Sequence, residues 1–304
     1  MLSSDQLRKI RSIELTTRRL LDDMMSGGYR SSFKGQGVQF SEHRVYVPGD
    51  DIRHIDWKVS ARTRDPLVKK YEEERELSVL VVMDCSASLY FGSESRLKLD
   101  SAAEMAGMLA YAAAMSGDKV GLVLFTNEVE KVLPPKKGKA HVSRLLREIM
   151  EHRPIGKGTS ITRALEASSR IMKHRGIVIL VSDFIHGQAP QGSGAGPDEQ
   201  YDVSIRRLAR KHDVVAIQVS DRLERGFPNI GWVPLVNAET GQAQTVSTGS
   251  YSFQKWLEEY RSSHATDTET ALKSGKVESL QVGTSDDPAD LLVKFFGARA
   301  RRRR

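Results

Sequence analysis

Asp84, Ser86 and Ser88 occupy alternate positions immediately after five apolar residues, Val79 to Met83. A buried strand ending there would present one carboxylate and two hydroxyls from the loop at its carboxyl end. Two further segments carry similar groups. Ser182-Asp183 follows the apolar run Ile177 to Val181, and Gly156-Lys157-Gly158-Thr159-Ser160 precedes a helical pattern with the Thr159 hydroxyl available. All these donors are oxygens, with no histidine and no second cysteine, so they suit a hard cation, magnesium or manganese, rather than zinc. In that arrangement Ser86, Ser88 and Thr159 coordinate directly, while Asp84 and Asp183 balance charge and hold waters. Neutral hydroxyl ligands leave the ion a good Lewis acid that a carboxylate of another protein can complete. The plainer alternative is a loop whose carboxylate and hydroxyls cap the following helix.

The elements that position these groups alternate in type from Glu76 onward. Strand patterns at 77–83, 119–125, 177–181 and 214–219 are interleaved with helical ones at 99–115, 141–150, 161–174 and 201–211, and residues 129–133 make the second strand of a hairpin. Such alternation predicts an α/β fold, a doubly wound and mostly parallel sheet covered on both faces. In sheets of that class ligands bind beyond the carboxyl ends of the strands, where strand order reverses. Trp232 to Val246, with Glu239-Thr240-Gly241 in its middle, reads as a hairpin and Ser252 to Ser262 as a helix. A last strand at 277–282 precedes a helix at 288–296 capped by Asp286 or Asp287. Upstream, Leu7, Ile10, Ile13, Leu20, Leu21 and Met24 recur at helical spacing between Asp5 and Met25, with Ser4 or Asp5 as the cap. Three regions result: 1–75, a helix followed by a module of loop and short strand; 76–221, the α/β domain; and 222–304, which completes the fold. Residues 186–200, containing Gly-Ser-Gly-Ala-Gly-Pro, have the composition of a mobile surface loop.

Composition narrows the class further. A chain of 304 residues with 39% hydrophobic content can build a large core. No apolar run approaches the roughly 20 residues of a membrane span, and no signal-peptide region follows Met1, which points to a cytoplasmic protein. Cys85 is the single cysteine, so neither a disulfide framework nor a multi-cysteine zinc site is open to the chain. Its position between metal-site residues reads as a buried, inert thiol. The net charge of +7 includes five arginines, Arg299 and Arg301 to Arg304, which read as a solvated basic tail without specific nucleic-acid binding. His152, His174 and His186 are scattered and read as structural or solvated, and the Gly156 to Ser160 run lacks the full phosphate-loop pattern.

Taken in order, D-C-S-A-S, G-T-S and S-D-F resemble the metal-ion-dependent adhesion site of von Willebrand factor A domains, which implies a Rossmann-like fold over about Leu77 to Val219. The block from Gly35 to Thr63, G-x-G-V-Q-F-x-E-H-R-V-Y-V-P-G-D-D-I-R-H-I-D-W-K-V-S-A-R-T, resembles the signature of the bacterial family called domain of unknown function fifty-eight. That resemblance implies an adaptor or co-chaperone of a MoxR-type AAA+ ATPase acting on a client protein, in the branch of the family without membrane helices. A second class of function, a magnesium-dependent hydrolase or phosphoryl-transfer enzyme at the same site, lacks an identifiable base or nucleophile, since the Asp-x-Asp pair of phosphoaspartyl enzymes is Asp84-x-Ser86 here.

Within the signature block, Asp50 and Asp51 either cap a short helical turn or pair with Arg53, and Arg44 stands near them. Asp56, Trp57 and Arg62 are expected to form a buried ion pair under an aromatic ring. The block reads as a structural latch or as a partner surface.

Overall fold

A computed structural model describes residues 8, 10–17, 39–48, 50–63, 65–72, 77–185, 201–236 and 242–302. The chain divides into two compact units, 34–76 and the remainder.

In the larger unit a six-stranded sheet is formed by β3 (Ser78–Asp84), β4 (Lys119–Phe125), β5 (Val129–Lys136), β6 (Ile177–Ser182), β7 (Asp213–Ser220) and β10 (Glu278–Gly283). Their order is β10-β7-β6-β3-β4-β5, parallel except for β5, which returns antiparallel against β4. The chain leaves β3 toward β4 and later comes back to its other side with β6, so the order reverses at β3. Sheets of this class form their ligand crevice at such a reversal, here the carboxyl ends of β3 and β6, which lead into Asp84 and Asp183.

Alternation of side chains along each strand builds two cores. Val79, Val81 and Met83 of β3 face one layer, where they meet the helix at 10–17 (α1), α3 (Lys98–Met115), α4 (Lys139–Glu151) and α9 (Pro288–Arg302). Leu80 and Val82 face the other, with α5 (Ile161–Ile171), α6 (Tyr201–Lys211) and the C-terminal half of α8 (Tyr251–Ser274). Because both faces are covered, the middle of β3 is an unbroken apolar run rather than alternating, and Val79 to Met83 are fully buried. The alanines of α3 allow a helix to lie close on the sheet, and Ile13 of α1 packs against Gly107 there.

The expected α/β class, doubly wound and mostly parallel, is the one observed, and the C-terminal strand β10 is an edge of the same sheet. The expected hairpin is observed as β8 (Trp232–Val236) paired antiparallel with β9 (Ala243–Ser247), a two-stranded ribbon separate from the main sheet. One helix differs from expectation: α8 runs twelve residues past Ser262. The tail is also not simply solvated. Arg299 is buried within α9, where its guanidinium pairs with Asp213 at the start of β7, whereas Arg301 and Arg302 are exposed. A helix docked on the sheet brings that one arginine to the amino ends of β7 and β10. The loop expected at 186–200, the turn at Glu239-Thr240-Gly241 and most of the helix expected between Asp5 and Met25 lie outside the described residues. Among the described residues no helix is long and apolar enough to cross a membrane.

The smaller unit pairs β1 (Gln39–Val45) antiparallel with β2 (Leu67–Glu72), joined through a 3-10 turn at Ile52–His54 and a helix, α2 (Trp57–Thr63). The sequence pattern missed α2 because only Ser60 of it is buried, leaving no apolar stripe to read.

Candidate metal centre

Strand β3 delivers Asp84 to the crevice with no exposed surface. Pairing continues one residue further, where the Cys85 amide donates to the Phe125 carbonyl at 2.8 Å. The chain then reverses because the Ser86 amide donates to Asp84 Oδ1 at 2.8 Å. The Ser182 hydroxyl, from the end of β6, donates to Asp84 Oδ2 at 2.6 Å. Both oxygens of Asp84 are therefore held, one from its own loop and one from the neighbouring strand.

That turn places Ser86 Oγ 3.1 Å from Ser88 Oγ. Ser86 stands at the cap position of the short 3-10 turn Ala87–Tyr90, yet its side chain makes no capping hydrogen bond. Thr159 lies on the loop before α5. Its neighbour Ser160 fixes the loop from both sides: the Ser160 amide donates to the Thr126 carbonyl beyond β4 at 2.9 Å, and its hydroxyl caps α5 at the Arg163 amide. Thr159 Oγ1 is buried without a hydrogen-bond partner. A buried hydroxyl in that state costs about 1–3 kcal/mol unless something else meets it.

Asp183, one residue beyond β6, has a side chain only 1% exposed. Its Oδ1 accepts from the Ile185 amide at 3.0 Å, and its Oδ2 accepts from Lys98 Nζ at 2.7 Å. The following residue, Phe184, takes a positive φ of 59° and buries its ring. For a bulky residue this is a strained conformation, tolerated here because the turn must release Asp183 upward while Phe184 returns to the core. Burial, then the nearby Asp183, pushes the Asp84 carboxyl up to about 7. Burial likewise pushes the Cys85 thiol well above its ordinary value, and the thiol is enclosed beside Met83 rather than presented to the crevice.

Two groups at this site were not read from the sequence. Lys98 opens α3 with its side chain 1% exposed and bridges Asp183 to Glu224, 2.5 Å away. Burial alone would lower its pKa, but the two carboxylates outweigh that and raise it, so the ammonium is charged. A signal was present: a lysine in the first turn of a helix opposes the helix dipole and needs compensation from elsewhere. Glu130 of β5 is the second. Its carboxylate accepts from Thr126 Oγ1 at 2.7 Å, His152 Nε2 at 2.8 Å, the Ile155 amide at 3.0 Å and the Gly156 amide at 2.8 Å. It thereby anchors the loop that carries Thr159, and these hydrogen bonds outweigh burial to hold the Glu130 carboxyl below its ordinary value. His152 is accordingly a structural partner, and His174 is exposed.

The signature residues make their own contacts inside the smaller unit. Arg44 grips Asp50 through two hydrogen bonds of 2.7 Å, drawing its carboxyl down to about 2. Asp51 both caps the 3-10 turn and pairs with Arg53 at 2.8 Å. The expectation for Asp56 is corrected. It accepts from the α2 amides of Lys58 and Val59 and meets His43 at 3.2 Å, while Trp57 is 65% exposed and Arg62 is exposed as well. Helix α2 starts at Trp57, which turns Asp56 into a helix cap and directs the indole outward.

Residues 42–268 match the family model described as protein of unknown function DUF58. The chain belongs to the DUF58 family. An uncharacterised protein of Mycobacterium tuberculosis is 29% identical over 294 residues, 96% of this chain and 89% of the relative. Among solved structures, the conserved hypothetical protein BatB from Bacteroides thetaiotaomicron is similar at 16% identity and a TM-score of 0.48, over 74% of this DUF58 chain and 99% of that one. Proximal thread matrix protein 1 of the mussel byssus, in a structure with a zinc-occupied MIDAS motif, is similar at 19% identity and a TM-score of 0.34, over 48% of this chain and 38% of that one.

Proposed function

We propose that this DUF58 protein is a metal-dependent protein-binding module. Asp84, Ser86, Ser88, Thr159 and Asp183 would hold a magnesium or manganese ion. The observation that carries this reading is the buried Thr159 hydroxyl without a partner, on a loop tied to the end of β4, while the Ser86 and Ser88 hydroxyls meet just beyond the end of the neighbouring strand β3 and its buried Asp84. The donors these loops carry are hydroxyls and carboxylates, an oxygen-only set that suits a hard cation. When bound, the ion supplies a Lewis acid that accepts an acidic side chain of the partner.

The surrounding loops offer a rim for such a contact. Tyr90 and Phe91, just after Ser88, are each 39% exposed, and Ile155, four residues before Thr159, is 88% exposed. An acidic residue flanked by apolar ones is the partner chemistry this rim fits. The partner class we propose, from the resemblance of the signature block, is a MoxR-type AAA+ ATPase, with the DUF58 protein as cytoplasmic adaptor or co-chaperone for a client. Binding without catalysis is favoured because both oxygens of Asp84 and both of Asp183 are already engaged and the Cys85 thiol is enclosed, so no base or nucleophile is poised.

The test is calorimetry with magnesium and manganese on the wild type, Asp84→Ala and the Ser86→Ala, Ser88→Ala double variant, followed by capture of a purified MoxR-type ATPase with and without chelator. Metal binding lost in both variants, and capture lost in chelator, supports the proposal. A partner retained through both variants and chelation refutes it.

A further inference from the structure

Lys98 is built into the candidate metal centre more firmly than an ordinary ion pair requires. Each of its two carboxylate partners is fixed through its other oxygen by a backbone amide: Asp183 Oδ1 by Ile185 at 3.0 Å, and Glu224 Oε2 by Asp221 at 2.9 Å. Asp221 is fully buried and is itself held by the Ser93 and Leu223 amides and the Thr284 hydroxyl. The result is a cradle of preset acceptors around one buried ammonium, built from the loop after β6, the short helix Arg222–Arg225 after β7 and the start of α3. A buried cation paired this way is held by preset acceptors rather than by flexible surface chains.

The cradle shares Asp183 with the proposed cation site. Asp84 and Asp183 would together offset a divalent ion, but Asp183 already gives one oxygen to Lys98 at 2.7 Å. An arriving divalent ion meets a site in which part of the negative charge is neutralised and a fixed positive charge stands on the far side of Asp183. Both effects weaken its binding.

We infer that Lys98 is an affinity-setting residue of this site: its ammonium, held between Asp183 and Glu224, takes up carboxylate charge and keeps divalent binding weak until a partner carboxylate completes the ligand set. This rests on the metal-binding reading proposed above. It assigns Lys98 a role distinct from stabilising the fold, because the consequence falls on ion affinity and not only on folding.

The experiment is manganese titration by calorimetry on the full chain, comparing wild type, Lys98→Met and Lys98→Met with Glu224→Gln. The double variant removes one of the carboxylates that the single substitution strands, and so serves if Lys98→Met fails to fold. Lys98→Met, or the double variant in its place, is expected to bind manganese on the order of ten- to a hundredfold more tightly than wild type. The added manganese should also raise the melting temperature more than it does in wild type. Adding Ser86→Ala and Ser88→Ala to either variant should abolish the gain. If wild type binds manganese and the Lys98 variants bind no more tightly, the inference is overturned while the metal site stands. If neither wild type nor variants bind, or if the gain survives loss of both serines, the metal reading fails at this site and the inference falls with it.

Discussion

Removing the Glu130 carboxylate is expected to release the loop that carries Thr159. In Glu130→Ala, the Thr126 hydroxyl can turn to Asn127 Oδ1 at 3.3 Å, but the His152 ring and the Gly156 amide lose their acceptor in a region where Glu130 itself is only 7% exposed. The Ile155 amide also loses it, but that residue is exposed enough for water to replace the bond. Counting about 1 kcal/mol for each of the two sheltered groups gives a destabilisation of roughly 2 kcal/mol. Urea denaturation followed by circular dichroism measures it directly. Glu130→Gln keeps an acceptor oxygen and should lose less. The pH dependence supplies a second arm: because the folded state holds this carboxyl below its ordinary value, its contribution is present above the unfolded pKa and disappears as pH falls through the lower folded value. Wild type should therefore lose this component on acidification below about pH 4, and Glu130→Gln should not. A Glu130→Ala protein within about 0.5 kcal/mol of wild type, with unchanged manganese affinity, would refute the idea that this carboxylate anchors the loop.

Three further outcomes are expected. Since burial raises the Asp84 carboxyl to about 7, its protonated form is favoured by folding, so the metal-free protein loses that stability as pH rises through about 7. A metal competes with the same proton, so manganese affinity measured by calorimetry should climb over that range. Asp84→Asn should flatten the stability profile of the metal-free protein. In Gly156→Ala the added Cβ would lie 2.1 Å from Thr126 Oγ1 and 2.2 Å from Asn127 Oδ1, which forces the loop away from β4. A loss of about 1–3 kcal/mol in denaturation and a measurably weaker manganese isotherm are expected. Arg299→Met removes the buried guanidinium that pairs with Asp213 and Glu278 at the opposite end of the sheet and should cost roughly 3 kcal/mol while leaving manganese affinity unchanged, which makes it the control for distance from the site.

The legible part of this molecule was the part whose physics is local. Val79 to Met83 could be read as a buried strand because a strand covered on both faces has no polar position to confuse the pattern. The loops bearing Asp84, Thr159 and Asp183 followed from their places after such strands and before α5. The second half of α8 was not legible, because Thr268, Ala271 and Leu272 are its only buried residues beyond Phe253 and its polar run carries no helical stripe. Lys98 and Glu224 meet across 126 positions of sequence, and only the packing of α3 beside the ends of β6 and β7 makes them one cluster. Asp56 was assigned a partner by proximity in sequence, whereas the antiparallel pairing of β1 and β2 and the start of α2 decided its contacts.

The most direct measurement is anomalous diffraction from crystals of this DUF58 protein grown with manganese. The expected result is a single strong peak within about 2.5 Å of the Ser86 and Ser88 hydroxyl oxygens, with Thr159 Oγ1 as a direct or water-bridged neighbour, and no peak there in the Ser86→Ala, Ser88→Ala variant. A site free of anomalous density at millimolar manganese, with a water or a protein group meeting Thr159 Oγ1 instead, would contradict the assignment of a cation to this crevice.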